Sequence, residues 1–274
     1  MADTLYLSLW YPNLRLEALP DKLTAVLGAF AAHGGEIRVY AATVWPVSWS
    51  EPPVFQQVWG RRITVGGEGE TQIGAEPAAA VEAATELLHE DYAYEFQIGW
   101  NLWEFETESG NAGPLRQAQG RLSTALRFAQ DERNVGEEAG KDRSGELARA
   151  SARSQVGKLA EAQVGKFAEG AKTTGRWARG SRLVRVTGYG PLFDEGAYEL
   201  DGHIRVDLGP DGPFLEEDVP LDQVGARHVE ENVRQLVGLA GAVEKASGAT
   251  ARLLWSELGE SLAQRLAARL GVSN

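Results

Sequence analysis

Hydrophobic and polar positions alternate over Thr4–Trp10, with Leu5, Leu7 and Leu9 opposed to Tyr6, Ser8 and Trp10, which predicts a strand. A helix follows. Pro20 suits its first turn, Leu23, Val26, Leu27 and Phe30 recur at helical spacing, and Gly34-Gly35 ends it. Glu36–Val44 reads as a second strand, with Ile37, Val39, Ala41 and Thr43 on one face. Trp45–Trp59 carries three prolines and three tryptophans and is expected to be a structured loop or an irregular edge. Pro77 opens a second helix with Val81, Ala84 and Leu88 on one side, and Tyr92–Phe105 alternates strictly as a long strand.

The same two periods return near the other end. Leu183–Thr187 and His203–Leu208 read as strands around the loop Gly188–Gly202. Pro220 or Asp222 starts a long helix with Val229, Val233, Leu236, Ala240 and Val243, stopped by Gly248. Ala251–Trp255 is a short strand, and Leu258, Leu262, Leu266 and Leu270 form the stripe of a further helix. The resulting expectation is an α+β protein with two α/β halves (sheet with packed helices), read as two unrelated layers sharing one sheet in preference to a duplication.

Charge changes the picture between them. Residues 1–114 carry net −11, residues 115–182 net +6 and residues 183–274 net −7, within a chain of net −12. The middle stretch lacks strand patterning and is rich in Ala and Gly. We therefore expect three parts: an acidic N-terminal α/β half (1–114), a basic, mainly helical insertion (115–182) and an acidic C-terminal α/β half (183–274). Inside the insertion, QVGKLAEA at 155–162 is followed by QVGKFAEG at 163–170. On a helix, Val156, Leu159, Val164 and Phe167 fall on one side with Lys158 opposite. Gly157, Gly165 and Gly170 each cost about 1 kcal/mol in a helix interior, so this stripe needs a surface to cover it. The candidates are the protein's own body, a partner or second copy, and, ranked last, a membrane surface reached through 155–172.

Composition excludes several classes. There is no cysteine, hence no disulfide, thiolate metal site or cysteine nucleophile. An acidic balance argues against nucleic acid as a partner. No basic and apolar leader pattern opens the sequence, and Arg outnumbers Lys 21 to 6 with abundant Ala, so the reading is a bacterial cytoplasmic protein.

Chemical motifs are sparse. Ala160 and Phe167 break the phosphate-loop pattern around Gly165-Lys166, and Phe193 breaks a dinucleotide pattern after Gly188 and Gly190. No nucleophile elbow or zinc-protease motif occurs. No cofactor is expected. The best chemical cluster is Asp201, His203, Arg205 and Asp207, which would share one face of a strand. Carboxylate and imidazole at that spacing could bind a metal for hydrolysis, with Asp201, His203 and Asp207 as the working groups. Trp45, Trp49 and Trp59, among prolines, are candidates for an aromatic binding groove. The expected function is a non-catalytic interaction protein of the inhibitor or immunity type, with a protein partner or a second copy. Metal-assisted hydrolysis and membrane-surface binding are the alternatives.

Overall fold

The computed structural model describes residues 3–60, 74–107, 175–215, 221–257 and 262–269. The strands are β1 (Thr4–Trp10), β2 (Gly35–Pro46), β3 (Phe55–Val58), β4 (Tyr92–Thr107), β5 (Gly175–Tyr189), β6 (Ile204–Pro210) and β7 (Ala251–Ser256). The helices are α1 (Leu19–Ala29), α2 (Pro77–Ala84), α3 (Ala197–Leu200), α4 (Gly212–Leu215), α5 (Gln223–Ser247) and α6 (Leu262–Arg269). The class is α+β, with one antiparallel seven-stranded sheet in the order β3-β2-β4-β5-β6-β1-β7.

That order places strands from both ends of the sequence in one sheet and interleaves them. β1 lies between β6 and β7, paired to both, so the first strand is enclosed by strands from the other side of the sequence. Chain contacts group Met1–Glu106 with Trp177–Asn274 in one compact unit and leave Thr107–Arg176 outside it. Taken alone, β1, α1, β5, β6, α5 and β7 trace a split β-α-β path with strand order β7-β1-β6-β5. β2, β3, α2 and β4 follow α1 in sequence and widen the sheet beyond β5. The proposed insertion 115–182 is shortened at its end: residues 175–182 open β5, whose first part carries Trp177 against Phe105 of β4 (ring centroids 5.5 Å apart). The remainder of that stretch lies outside the described residues.

One sheet face is buried under helices. Leu5, Leu7 and Leu9 of β1, Phe96, Ile98 and Trp100 of β4, Val184 and Val186 of β5, and Ile204 and Val206 of β6 share a core with Leu23 and Val26 of α1 and Val233 and Leu236 of α5. α5 forms because its apolar stripe recurs at helical spacing and both ends are satisfied. The Asp222 side chain accepts the Gly225 N–H at 2.7 Å, and Gly248 ends the helix at φ +70°, a conformation that costs glycine little. Lys22 of α1 donates to the Ser247 carbonyl at 2.7 Å, tying the two helices.

β2 departs from simple alternation. Its register against β4 shifts between Val39 and Ala41, so Val39 joins Ala42 and Val44 in the core. The expected face holding Val39, Ala41 and Thr43 together is therefore split by a bulge, which moves the following residues to the other side. The tryptophan- and proline-rich stretch after β2 contains the edge strand β3.

Candidate functional site

The second sheet face is where the candidate chemistry sits. Because side chains alternate, the strands that bury Leu7, Val186 and Val206 on the core side present Ser8, Thr187, Arg185, Arg205 and Asp207 on the other. The register places Arg205 opposite both Thr187 and Ser8, and Asp207 opposite both Arg185 and Tyr6. Three charged side chains, Arg185 of β5 and Arg205 and Asp207 of β6, thus share this face.

The three residues expected to act together are separated by their partners. Asp201 is not on the strand; it follows α3 and pairs with Arg205. His203 stands just before β6. Its Nδ1 accepts the Tyr11 N–H at 3.1 Å, and its ring stacks on Tyr198 at 4.0 Å. Desolvation holds its pKa below the usual histidine value, opposed by the Glu199 carboxylate. Asp207 lies 3.8 Å from Arg185 and accepts the Gly209 N–H at 2.9 Å. Among the described residues, no three His, Asp or Glu side chains come together as metal ligands. The cause is local: the Asp201-Gly202 turn ends a helix, and β6 begins only at Ile204.

Around these groups the face is aromatic. The Arg205 guanidinium lies over Tyr6 (5.4 Å) and Tyr189 (5.6 Å). Tyr6 stacks on Trp255 at 4.6 Å and donates to Glu257 at 2.8 Å, and burial together with that bond raises its pKa. Trp255 donates to Ser8 Oγ at 3.0 Å. Glu95, on β4, is a group that motif reasoning missed. Burial pushes its carboxyl upward, Arg185 pulls the other way, and Gln97 donates to it at 3.3 Å. Its only sequence signal is a carboxylate inside the alternating run Tyr92–Phe105, which it shares with Glu104.

Trp45 and Trp49 come together but not as an open groove. They meet edge to face at 5.7 Å, and Trp49 packs edge-on against Phe193 (5.1 Å) and Tyr189 (6.2 Å), in a second small core with Ala93 and Ala197. Trp59 is partly buried and packs against the main core instead. Val156, Leu159, Val164 and Phe167 lie outside the described residues.

This second core props up the loops at one end of the sheet. The Val47 N–H donates to the Asp91 carbonyl at 2.7 Å, and the Asp194 N–H donates to the Val47 carbonyl at 2.8 Å. Leu192 donates to Glu90 at 2.9 Å and Gly190 to Tyr92 at 2.7 Å. Gly190 rests on the Glu90 carbonyl so closely that a Cβ would lie 2.2 Å from its oxygen, so only glycine fits. Three loops, after β2, before β4 and after β5, are therefore laced by backbone bonds. Val47 is held at φ +56°, rare for a β-branched residue.

Comparisons with family models, curated proteins and solved structures find no match to this chain.

Proposed function

We propose that the chain is a non-catalytic protein-binding module of the inhibitor or immunity type. The observation that carries this reading is the fate of the strongest chemical cluster. Asp201, His203 and Asp207 each serve a different internal partner, Arg205, the Tyr11 backbone and Arg185 respectively. Groups spent on holding loops and strands are poor candidates for acid–base or metal work, whereas an acidic exterior suits complementary attraction to a basic partner. Among the described residues, no helix is long and apolar enough to cross a membrane. The reading places the encounter in the cytoplasm, in keeping with the cysteine-free sequence.

The test has two arms. Calorimetric titration with Zn²⁺ and Mn²⁺ is expected to show no binding that His203→Phe removes. A partner captured from the native host should, once purified, re-form a complex of fixed stoichiometry with the full chain. Metal-dependent hydrolysis by the wild type, lost in His203→Phe, would overturn the proposal in favour of an enzyme.

A further inference from the structure

Resting on that reading, we infer that the laced loop end of the sheet is the binding surface, and that it takes a basic protein face with apolar side chains at its centre. Apolar side chains project where a solvated loop end would have no use for them. Val47 is 57% exposed, Leu192 61% and Leu200 80%. They are neighbours through the lacing: Val47 and Leu192 bond to the consecutive carbonyls of Asp91 and Glu90, and Val47 bonds on to Asp194. Leu200 ends the short helix α3, which follows directly on the Asp194 loop.

Charge selects the occupant. Residues 46–54, 85–92 and 190–200, which form this end, hold seven carboxylates and no Lys or Arg. Glu51, Glu90, Glu195 and Glu199 are exposed, and none of them has an ion-pair partner among the described residues. Exposed apolar side chains among unpaired carboxylates are complementary to a partner surface that sets apolar side chains among Arg or Lys. The surface is also preorganised. Backbone bonds fix the three loops and the Trp49 cluster supports them from below, so little ordering remains for the partner to impose. The tryptophans anticipated as contacts act here as the support, and the smaller residues between them make the contact.

A labelled peptide alternating arginine and leucine is the probe, titrated by fluorescence anisotropy against the full chain. Peptides alternating arginine with serine and glutamate with leucine are the controls. The wild type should bind the arginine–leucine peptide in preference to both. Leu192→Ser combined with Leu200→Ser should weaken that binding by about tenfold. Glu90→Lys combined with Glu195→Lys should weaken it as much and flatten its dependence on salt. Both variants change exposed side chains only and should melt with the wild type. Equal affinity for the arginine–serine peptide, no binding of any peptide, or binding unchanged in both variants overturns the inference. So does sedimentation showing a wild-type dimer that the leucine substitutions dissociate, because the occupant is then a second copy. If a native partner is captured equally by wild type and variants, this surface is wrong while the interaction reading stands. If no partner re-forms a complex with the wild type, the reading itself fails.

Discussion

His203 spends its ring on structure. Its Nδ1 takes the Tyr11 N–H, and its face lies on Tyr198. Truncation to Ala leaves that half-buried N–H without its acceptor and removes a stacked ring, so His203→Ala should cost about 1–2 kcal/mol in urea denaturation. An ordinary surface change stays within about 0.5 kcal/mol. The same contacts set a pH dependence. In the unfolded chain the imidazole takes its proton near its usual value of about 6.5, whereas in the fold it does so at lower pH. Unfolded molecules therefore bind more protons as pH falls, and the contribution is full above about 6.5 and lost as pH drops through the folded value. His203→Phe keeps a stacking ring without the titration, and should flatten the fall in denaturation midpoint between pH 7.5 and pH 5. Glu95 has the opposite sign. Its folded pKa is raised, so its contribution is full below the unfolded value near 4.5 and lost as pH rises through the folded one. Glu95→Gln should raise the denaturation midpoint at pH 7, and the gain should vanish below pH 4.5. A midpoint unchanged at pH 7 would show that Arg185 and Gln97 fully compensate the carboxylate.

At the scale of elements, α5 was readable because pattern and caps agree: its stripe, Asp222 and Gly248 all mark the observed bounds. β4 was readable for the same reason, as strict alternation over many residues has no helical interpretation. β2 was misread at a single residue, because a bulge leaves no mark in hydropathy while reversing which side chains face inward. Asp201, His203 and Asp207 looked coplanar because spacing carries no information on where a strand begins. Also illegible was Asn232, a fully buried polar residue in the apolar stripe of α5. Its Oδ1 accepts the Trp103 N–H at 3.0 Å, and its Nδ2 donates to the Trp103 and Pro213 carbonyls at 2.8 Å each. It stands in for a neighbouring strand where β4 runs past the end of β2. Asn232→Ala strands one donor and two acceptors, so a loss of about 3 kcal/mol is expected in urea titration. Asn232→Asp should be at least as damaging, since a carboxylate cannot donate to either carbonyl. Parity with wild type in either variant would show that water replaces the clamp.

At the scale of the molecule, the sequence divided the chain by charge and the sheet divides it otherwise. Charge is a surface property with no say in strand order, which explains why acidic stretches that stand apart in sequence interleave in space. The sheet-bearing unit should survive replacement of residues 108–174 by a short Gly/Ser linker, because β4 and β5 are neighbours whose Phe105 and Trp177 rings already meet. Cooperative thermal unfolding by circular dichroism checks this. Residues 1–107 alone should show no such transition, because β1 would lack β6 and β7.

The enclosure of β1 also bears on how the protein is made. β1 leaves the ribosome first, yet Leu5 pairs with Ser256, which is translated roughly 250 residues later. At synthesis rates of about 5–20 residues per second, a strand carrying Leu5, Leu7 and Leu9 waits tens of seconds with both edges open. Nascent chains stalled before residue 251 should therefore be held by chaperones or clipped by proteases, and protection should arrive abruptly once β7 has cleared the exit tunnel.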